Sequence, residues 1–330
     1  MKRLLIFTIL MSALTSPSAI CSSTYAAPQL NCAGATFNGT LLHNQAVSTA
    51  YFIISYTGGA GAAYSGENIS STGVTGLTAS LAAGTFSGEA CQLIYNVTGT
   101  PASSGTASFA ISPGGVSCTL TATVAATYAS GSVFCGGTQT YISDVTNPTT
   151  GKIWMDRNLG ASRVATSSTD ASAYGDLYQW GRKPDGHQCR NSTTTSTRSG
   201  SAQPNHSDFI IGGDYWFTPN DNALWQGVSG VNNPCPSGYR LPTDAELDAE
   251  RLSWATNNAG GAFGSPLKLT IGGFRGCYGA GPINSAGIQG YYWSSISSSN
   301  SFSKELLITN SSTIGSQRKA VGHSVRCIKN

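Results

Sequence analysis

Between Pro28 and Cys135 the chain carries no lysine or arginine and only two acids, Glu67 and Glu89, whereas every basic residue other than Lys2 and Arg3 lies beyond that stretch. All six tryptophans, Trp154, Trp180, Trp216, Trp225, Trp254 and Trp293, also lie beyond it. A segment of this length with so little charge must build most of its water-facing surface from Ser, Thr, Asn and backbone. The abrupt switch near residue 136 therefore predicts two separately packed bodies. The length of 330 residues fits this, since ~150 residues per domain leaves room for a leader and two domains. Charged residues make up only 10% of the chain, against a globular average of ~25%.

Residues 1–27 open on Lys2 and Arg3, run through LLIFTILMSAL and reach small residues in STYAA, the layout of a secretory signal peptide with cleavage after Ala26 or Ala27. The apolar run of roughly ten residues falls short of the ~20 that span a bilayer. No second such run follows, so no transmembrane segment is expected after signal removal. Loss of Lys2 and Arg3 takes the formal net charge from +3 to +1, and phosphate binding needs clustered Lys and Arg. Nucleic acid is therefore not an expected partner. Of nine cysteines, Cys21 lies in the leader, and the remaining even set has no C-x-x-C spacing. In an exported chain that reads as a disulfide framework: Cys32, Cys91, Cys118 and Cys135 in the first part, Cys189, Cys235, Cys277 and Cys327 in the second. The expected location is the cell surface or the medium.

The expected organisation is an all-β sandwich over residues 28–125, a linker over 126–137 and an α+β domain with much loop over 138–330. In the first body AYFIISY, CQLIYNVTG, TASFAIS and CTLTATVAA alternate with Gly/Ser/Thr-rich turns at the ~8–12-residue spacing of a sandwich, with apolar residues at period two. STGVTGLTASLAAGTFSGE and VTGTPASSGTASFAISPGGVSCTLTATV resemble Ig-like repeat modules of bacterial surface proteins. That resemblance implies a Cys32–Cys118 pair, leaving Cys91 with Cys135.

In the second body TDAELDAERLSW reads as a helix: Thr243 and Glu246 form a capping box, and Leu247, Arg251 and Trp254 recur on one stripe. DASAYGDLYQWG is a shorter helical candidate, and KIWMDRNL, GYYWSSI, KELLIT and SVRCIK read as short strands. The ordered motifs IWMDRNLGA, YGDLYQWGR, CPSGYRLPTDAEL, YYWSS and SVRCIK resemble the Fibrobacter succinogenes major paralogous domain. That resemblance implies a C-type-lectin-like fold, related to sulfatase-modifying factors, with its two ends in one small sheet and its long connections free to bind. It also implies a Cys235–Cys327 pair, leaving Cys189 with Cys277 to staple two loops.

The loop GGFRGCYGAGPINSAGIQG offers Arg275, Tyr278 and Asn284 among glycines, and loops carry binding more often than cores do. These are the expected ligand contacts. Lectins of the implied fold hold sugar through calcium, and Asp208, Asp214 and Asp221, near the QPN of Gln203–Asn205, offer oxygens to such a cation. No other cofactor is indicated. The four histidines are scattered, no G-x-S-x-G surrounds a serine, and no pair of acids is patterned for glycoside hydrolysis, so catalysis is not expected. The sequence reads as an exported binding or adhesion protein whose partner is carbohydrate or a cell-surface protein. The alternative is a structural part of an envelope layer, fibre or appendage, and third an oxidase like the sulfatase-modifying factors.

Overall fold

The computed structural model describes residues 27–87 and 91–330. The leader expected over residues 1–27 lies almost wholly outside the described residues. The fold is mostly β-sheet with few, short helices. The chain divides into two compact units, with the boundary between Ala125 and Ala126.

In the first unit the strand Ala50–Thr57 pairs with Gln92–Gly99, which pairs with Leu77–Leu81 and then Glu67–Ser70. Gln29–Leu30 and Thr36–Gly39 cover the other edge of Ala50–Thr57. A second sheet runs Leu41–Leu42, Cys118–Ala125, Gly105–Ile111, Thr72–Gly73. Strict alternation decides which side chains meet between the sheets, because successive residues of a strand face opposite ways. Phe52, Ile54 and Tyr56 point inward from one strand, Leu93, Tyr95 and Val97 from its neighbour, and Phe109, Leu120 and Val124 from the second sheet. The rings of Phe52 and Phe109 meet edge-on, 5.7 Å apart, across the layer. Each such fully buried side chain contributes roughly 1.5–3 kcal/mol, which lets an almost uncharged segment fold. Glu67 is the one Asp, Glu, Lys or Arg among the described residues of this unit. It accepts hydrogen bonds from Tyr95 Oη (2.6 Å) and Ser112 N (3.0 Å), tying the edge strand to both sheets.

In the second unit Asp144–Thr146, Ile153–Met155, Ile328–Lys329 and Tyr239–Arg240 form one sheet in that order, with Trp154 opposite Ile328, so the unit's opening hairpin lies beside its closing strand. A three-stranded sheet, Gly290–Ser297, Phe302–Ile308 and Thr313–Arg318, packs against helix α1 (Asp244–Leu252). Thr243 Oγ1 accepts from Glu246 N at 3.1 Å and the Glu246 carboxylate accepts from Thr243 N at 2.9 Å, the reciprocal cap expected from the sequence. Leu247 and Trp254 are buried, packed with Leu306, Ile308 and Tyr292. A third sheet carries Tyr178–Gln179, Gly322–His323, Phe274–Arg275 and Ile283–Asn284.

Three expectations are corrected. DASAYGDLYQWG is not a helix: only Ala171–Ala173 make a single 3-10 turn, capped by Asp170, and Tyr178–Gln179 is strand. Gly175, at φ +70°, breaks any helical continuation, and Trp180 and Tyr178 go into the core. The short helix α2 (Ala259–Gly264) arises instead in a Gly-rich stretch, started by the Asn258 side chain, which accepts from Gly261 N.

Residues 126–137 are not a free linker. Thr127 exchanges hydrogen bonds with Ser237, Val133 N donates to Pro184 O (2.7 Å), Tyr128 is packed against the second unit's core, and Cys135 is bonded to Cys189. Their mixture of glycine, serine and small side chains conceals backbone groups that the neighbouring loops satisfy.

Cys32–Cys118 and Cys235–Cys327 form. Cys135 pairs with Cys189, so neither Cys91–Cys135 nor Cys189–Cys277 exists. Cys91 is disulfide-bonded all the same, and Cys277 is a buried free thiol. Assigning Cys277 to a bridge overlooked how deeply the strand Phe274–Arg275 draws its successor into an apolar nest with Ala320 and Val321.

Candidate functional site

Of the ligand contacts expected from the sequence, Arg275 is turned inward. Its guanidinium donates to Gly281 O (3.1 Å), Cys189 O (3.1 Å), Ser192 O (2.6 Å) and Ser192 Oγ (2.6 Å), and it lies 4.4 Å from the centroid of Phe209. With its donors spent within the fold, it positions the Cys189–Ser192 segment. Asn284 donates to Pro282 O within its own turn. Tyr278 is half exposed and donates to Asp214 Oδ1 at 2.7 Å, with Arg318 across its ring.

The three expected calcium ligands are not brought together. Asp208 accepts from Thr193 Oγ1, Asp214 from Tyr278 and Arg318, and Asp221 caps Ala223 N. Among the described residues there is no group of three or more His, Cys, Asp or Glu side chains able to hold a metal ion.

The second unit has instead an open cleft of about 300 Å³, lined by Gly160, Ser162, Ser172, Gly175, Asp176 and Arg190, with Cys135, Ala171 and Asn191 beside them. Its floor is Asp176, 6% exposed. Two glycines permit this placement. Gly160 (φ +80°) passes so close that a Cβ there would overlap the Asp176 carboxyl, and Gly175 (φ +70°) faces Leu159 O with no room for one. Asp176 N then donates to Leu159 O at 2.9 Å, locking the carboxyl beneath the cleft.

Among the described residues the Asp176 carboxyl accepts no hydrogen bond. Burial pushes its pKa up to about 7, against the opposing pull of the Arg190 cation. Arg190 is itself fixed: Nε donates to Gly175 O (2.7 Å), Nη2 to Gly272 O (3.0 Å), and the guanidinium lies 5.4 Å from the centroid of Tyr174. Its Nη1 makes no hydrogen bond among the described residues. The Cys135–Cys189 bridge and the grip of Arg275 on Cys189 O hold this arginine from behind. On the rim, Ser162 Oγ donates to Ser172 O (3.2 Å), and Asp170, paired with Arg163, accepts from Ser172 N (3.2 Å).

The cleft therefore offers a carboxyl acceptor in its floor, a guanidinium N–H without a partner among the described residues in its wall, and hydroxyl and amide groups on its rim. Asp176 is the only carboxyl among the described residues that line it, and no histidine or thiol lines it, so the acid pair of a glycoside hydrolase is not assembled here. Such a set matches a ligand rich in both donors and acceptors. A second hollow, about 220 Å³ in the first unit beside Gln29, Asn31, Ser55 and Thr57, holds no charged group.

Sequence reasoning missed Asp176 and Arg190. Asp176 stands inside YGDLYQWGR and Gly160 inside IWMDRNLGA, and the paired glycines signalled a close backbone approach. Arg190 carried no signal beyond its place next to a cysteine. No family model, curated protein or solved structure matches this chain.

Proposed function

We propose that this is an exported cell-surface binding or adhesion protein, in which an Ig-like sandwich carries a C-type-lectin-like domain resembling the Fibrobacter succinogenes major paralogous domain. Its partner is carbohydrate, free or on a cell-surface protein, held in the Asp176 cleft by hydrogen bonds without calcium and without breaking a bond.

The observation that carries this reading is the Asp176 carboxyl, which accepts no hydrogen bond among the described residues, set in the floor of an open cleft beside a fixed arginine. Hydroxyl donors brought to this carboxylate make charge-assisted hydrogen bonds, which are roughly twice as strong as neutral ones. The three disulfides between described residues support export, because such bridges persist in oxidising compartments. No helix among the described residues is long and apolar enough to cross a membrane.

The test is a glycan array read with the intact chain and with Asp176→Asn, in the presence of EDTA. Binding by the former that falls in the latter supports the reading. An array that stays dark, with ordered self-assembly of the purified protein, would transfer the protein to the structural class.

A further inference from the structure

The wall of the cleft leads to an exposed aromatic ring. Gly160 N donates to Thr140 Oγ1 at 2.7 Å, and the next residue, Tyr141, is 67% exposed. The Arg157 guanidinium lies 5.2 Å from the Tyr141 centroid, held by both oxygens of Asp156 at 2.7 and 2.9 Å. The same guanidinium donates from Nη1 to the backbone oxygen of Ser162 (3.4 Å) on the cleft rim. Tyr141 is thus tied to the cleft at two points, through Thr140 to Gly160 and through Arg157 to Ser162. A cation against one face of the ring gives it a preferred place, and its exposure leaves apolar surface for a partner.

We propose that Tyr141 and the Asp176 cleft form one site for a single neutral pyranose unit: the C–H face of the sugar stacks on Tyr141, and its hydroxyls donate to Asp176 and accept from Arg190 Nη1 and Asn191. This rests on the carbohydrate reading above and narrows it. The cleft volume lies at the small end of the ~300–1,000 Å³ range for small-molecule sites, which suits one ring and not a chain. Charge selects neutrality. A uronic acid would bring its carboxylate to Asp176, and an amino sugar would bring its ammonium to Arg190. Each gains one contact and suffers one repulsion, whereas hydroxyls satisfy both walls.

The experiment is saturation-transfer NMR followed by titration of the full chain at pH 8. The probes are methyl glycosides of glucose, galactose, mannose and N-acetylglucosamine, set against glucuronic acid and glucosamine. At least one neutral glycoside is expected to bind more tightly than both charged sugars. Tyr141→Ala should weaken it about tenfold, the upper scale of one aromatic contact. Tyr141→Phe, which keeps the ring, should hold wild-type affinity, and Asp176→Asn should weaken binding with the fold intact by circular dichroism. Tighter binding of a charged sugar, or equal affinity in Tyr141→Ala, overturns the inference. If the array signal still depends on Asp176 in that case, the broader reading stands and only the neutral stacked pyranose falls. If neither the array nor any probe gives a signal, both fall together.

Discussion

Arg326 Nε donates to Asn158 Oδ1 at 3.0 Å, joining two buried residues 168 positions apart. Around this contact Arg326 Nη1 also reaches Leu267 O (2.6 Å) and Met155 O (3.2 Å), while Asn158 Nδ2 donates to Tyr174 O, Ala173 O and Tyr292 Oη. Burial lowers the arginine's pKa to about 10, with the charges of Asp156 and Glu250 pulling the other way, so it remains charged at neutral pH. The network binds the first and last motifs of the second unit and, through Tyr174, the floor of the cleft.

Arg326→Met should therefore destabilise the second unit by about 3–5 kcal/mol, because three acceptors lose their donor in a dry site. Arg326→Lys should be nearly as damaging, since a single ammonium cannot reproduce the planar fork. Urea unfolding followed by tryptophan fluorescence reads this unit selectively, as all six tryptophans lie in it.

Asp176 makes the second unit's stability depend on pH with a defined sign. Its folded pKa, about 7, lies above the unfolded value of about 3.9, so the folded state holds the proton more tightly. The associated stability is fully present below pH 4, is lost as pH rises through 7, and changes no further above that. Asp176→Asn should remove this dependence, so the variant's advantage over wild type grows from near zero at pH 4 to roughly 2–4 kcal/mol at pH 8. Thermal unfolding of both proteins across that window checks it. In wild type, sugar hydroxyls that donate to the carboxylate should bind more tightly at pH 8 than at pH 5.5.

The thiol chemistry separates the observed pairing from the one expected from sequence. Cys277 is buried and burial raises its pKa, so a maleimide should leave it unlabelled in the native protein and label it after unfolding without reductant. Peptide mapping should recover Cys135 joined to Cys189. Replacing both by serine should cost about 2–4 kcal/mol and weaken glycan binding, because the residue after Cys189 is Arg190. Recovery of a Cys189–Cys277 peptide would contradict the structure.

Arg275 and Tyr278 provide a further contrast. Arg275→Ala should unfold the second unit more easily by roughly 2–4 kcal/mol, leaving the backbone carbonyls of Ser192 and Gly281 without their donor and Cys189 O with Ser192 N as its remaining one. Tyr278→Ala should change stability by less than about 1 kcal/mol and leave array binding intact, since its ring serves only the surface contacts with Asp214 and Arg318.

What the sequence made legible was whatever local rules decide. Period-two runs became the strands carrying Phe52, Tyr95, Phe109 and Leu120, and Thr243 and Glu246 formed the cap that starts α1. The charge break located two bodies and the boundary falls at Ala125, the expected end of the sandwich, while residues 126–137 join the second unit because Thr127 and Val133 find backbone partners there more than fifty residues away. Side-chain roles in the irregular second unit were not legible. An arginine among glycines looks the same in a sequence whether it faces solvent, as expected of Arg275, or satisfies four acceptors within. The cleft residues were hidden for the same reason: Asp176 meets Gly160 and Arg190 through contacts that chain proximity does not encode.

Glu67 turns its carboxylate onto Tyr95 and Ser112, so the only such charge among the described residues of the first unit is occupied with internal ties. The faces that remain carry hydroxyls, methyls and glycine. Ionic strength has little there to screen, and a trypsin-like protease meets no cleavable bond from residue 28 to residue 135, folded or not.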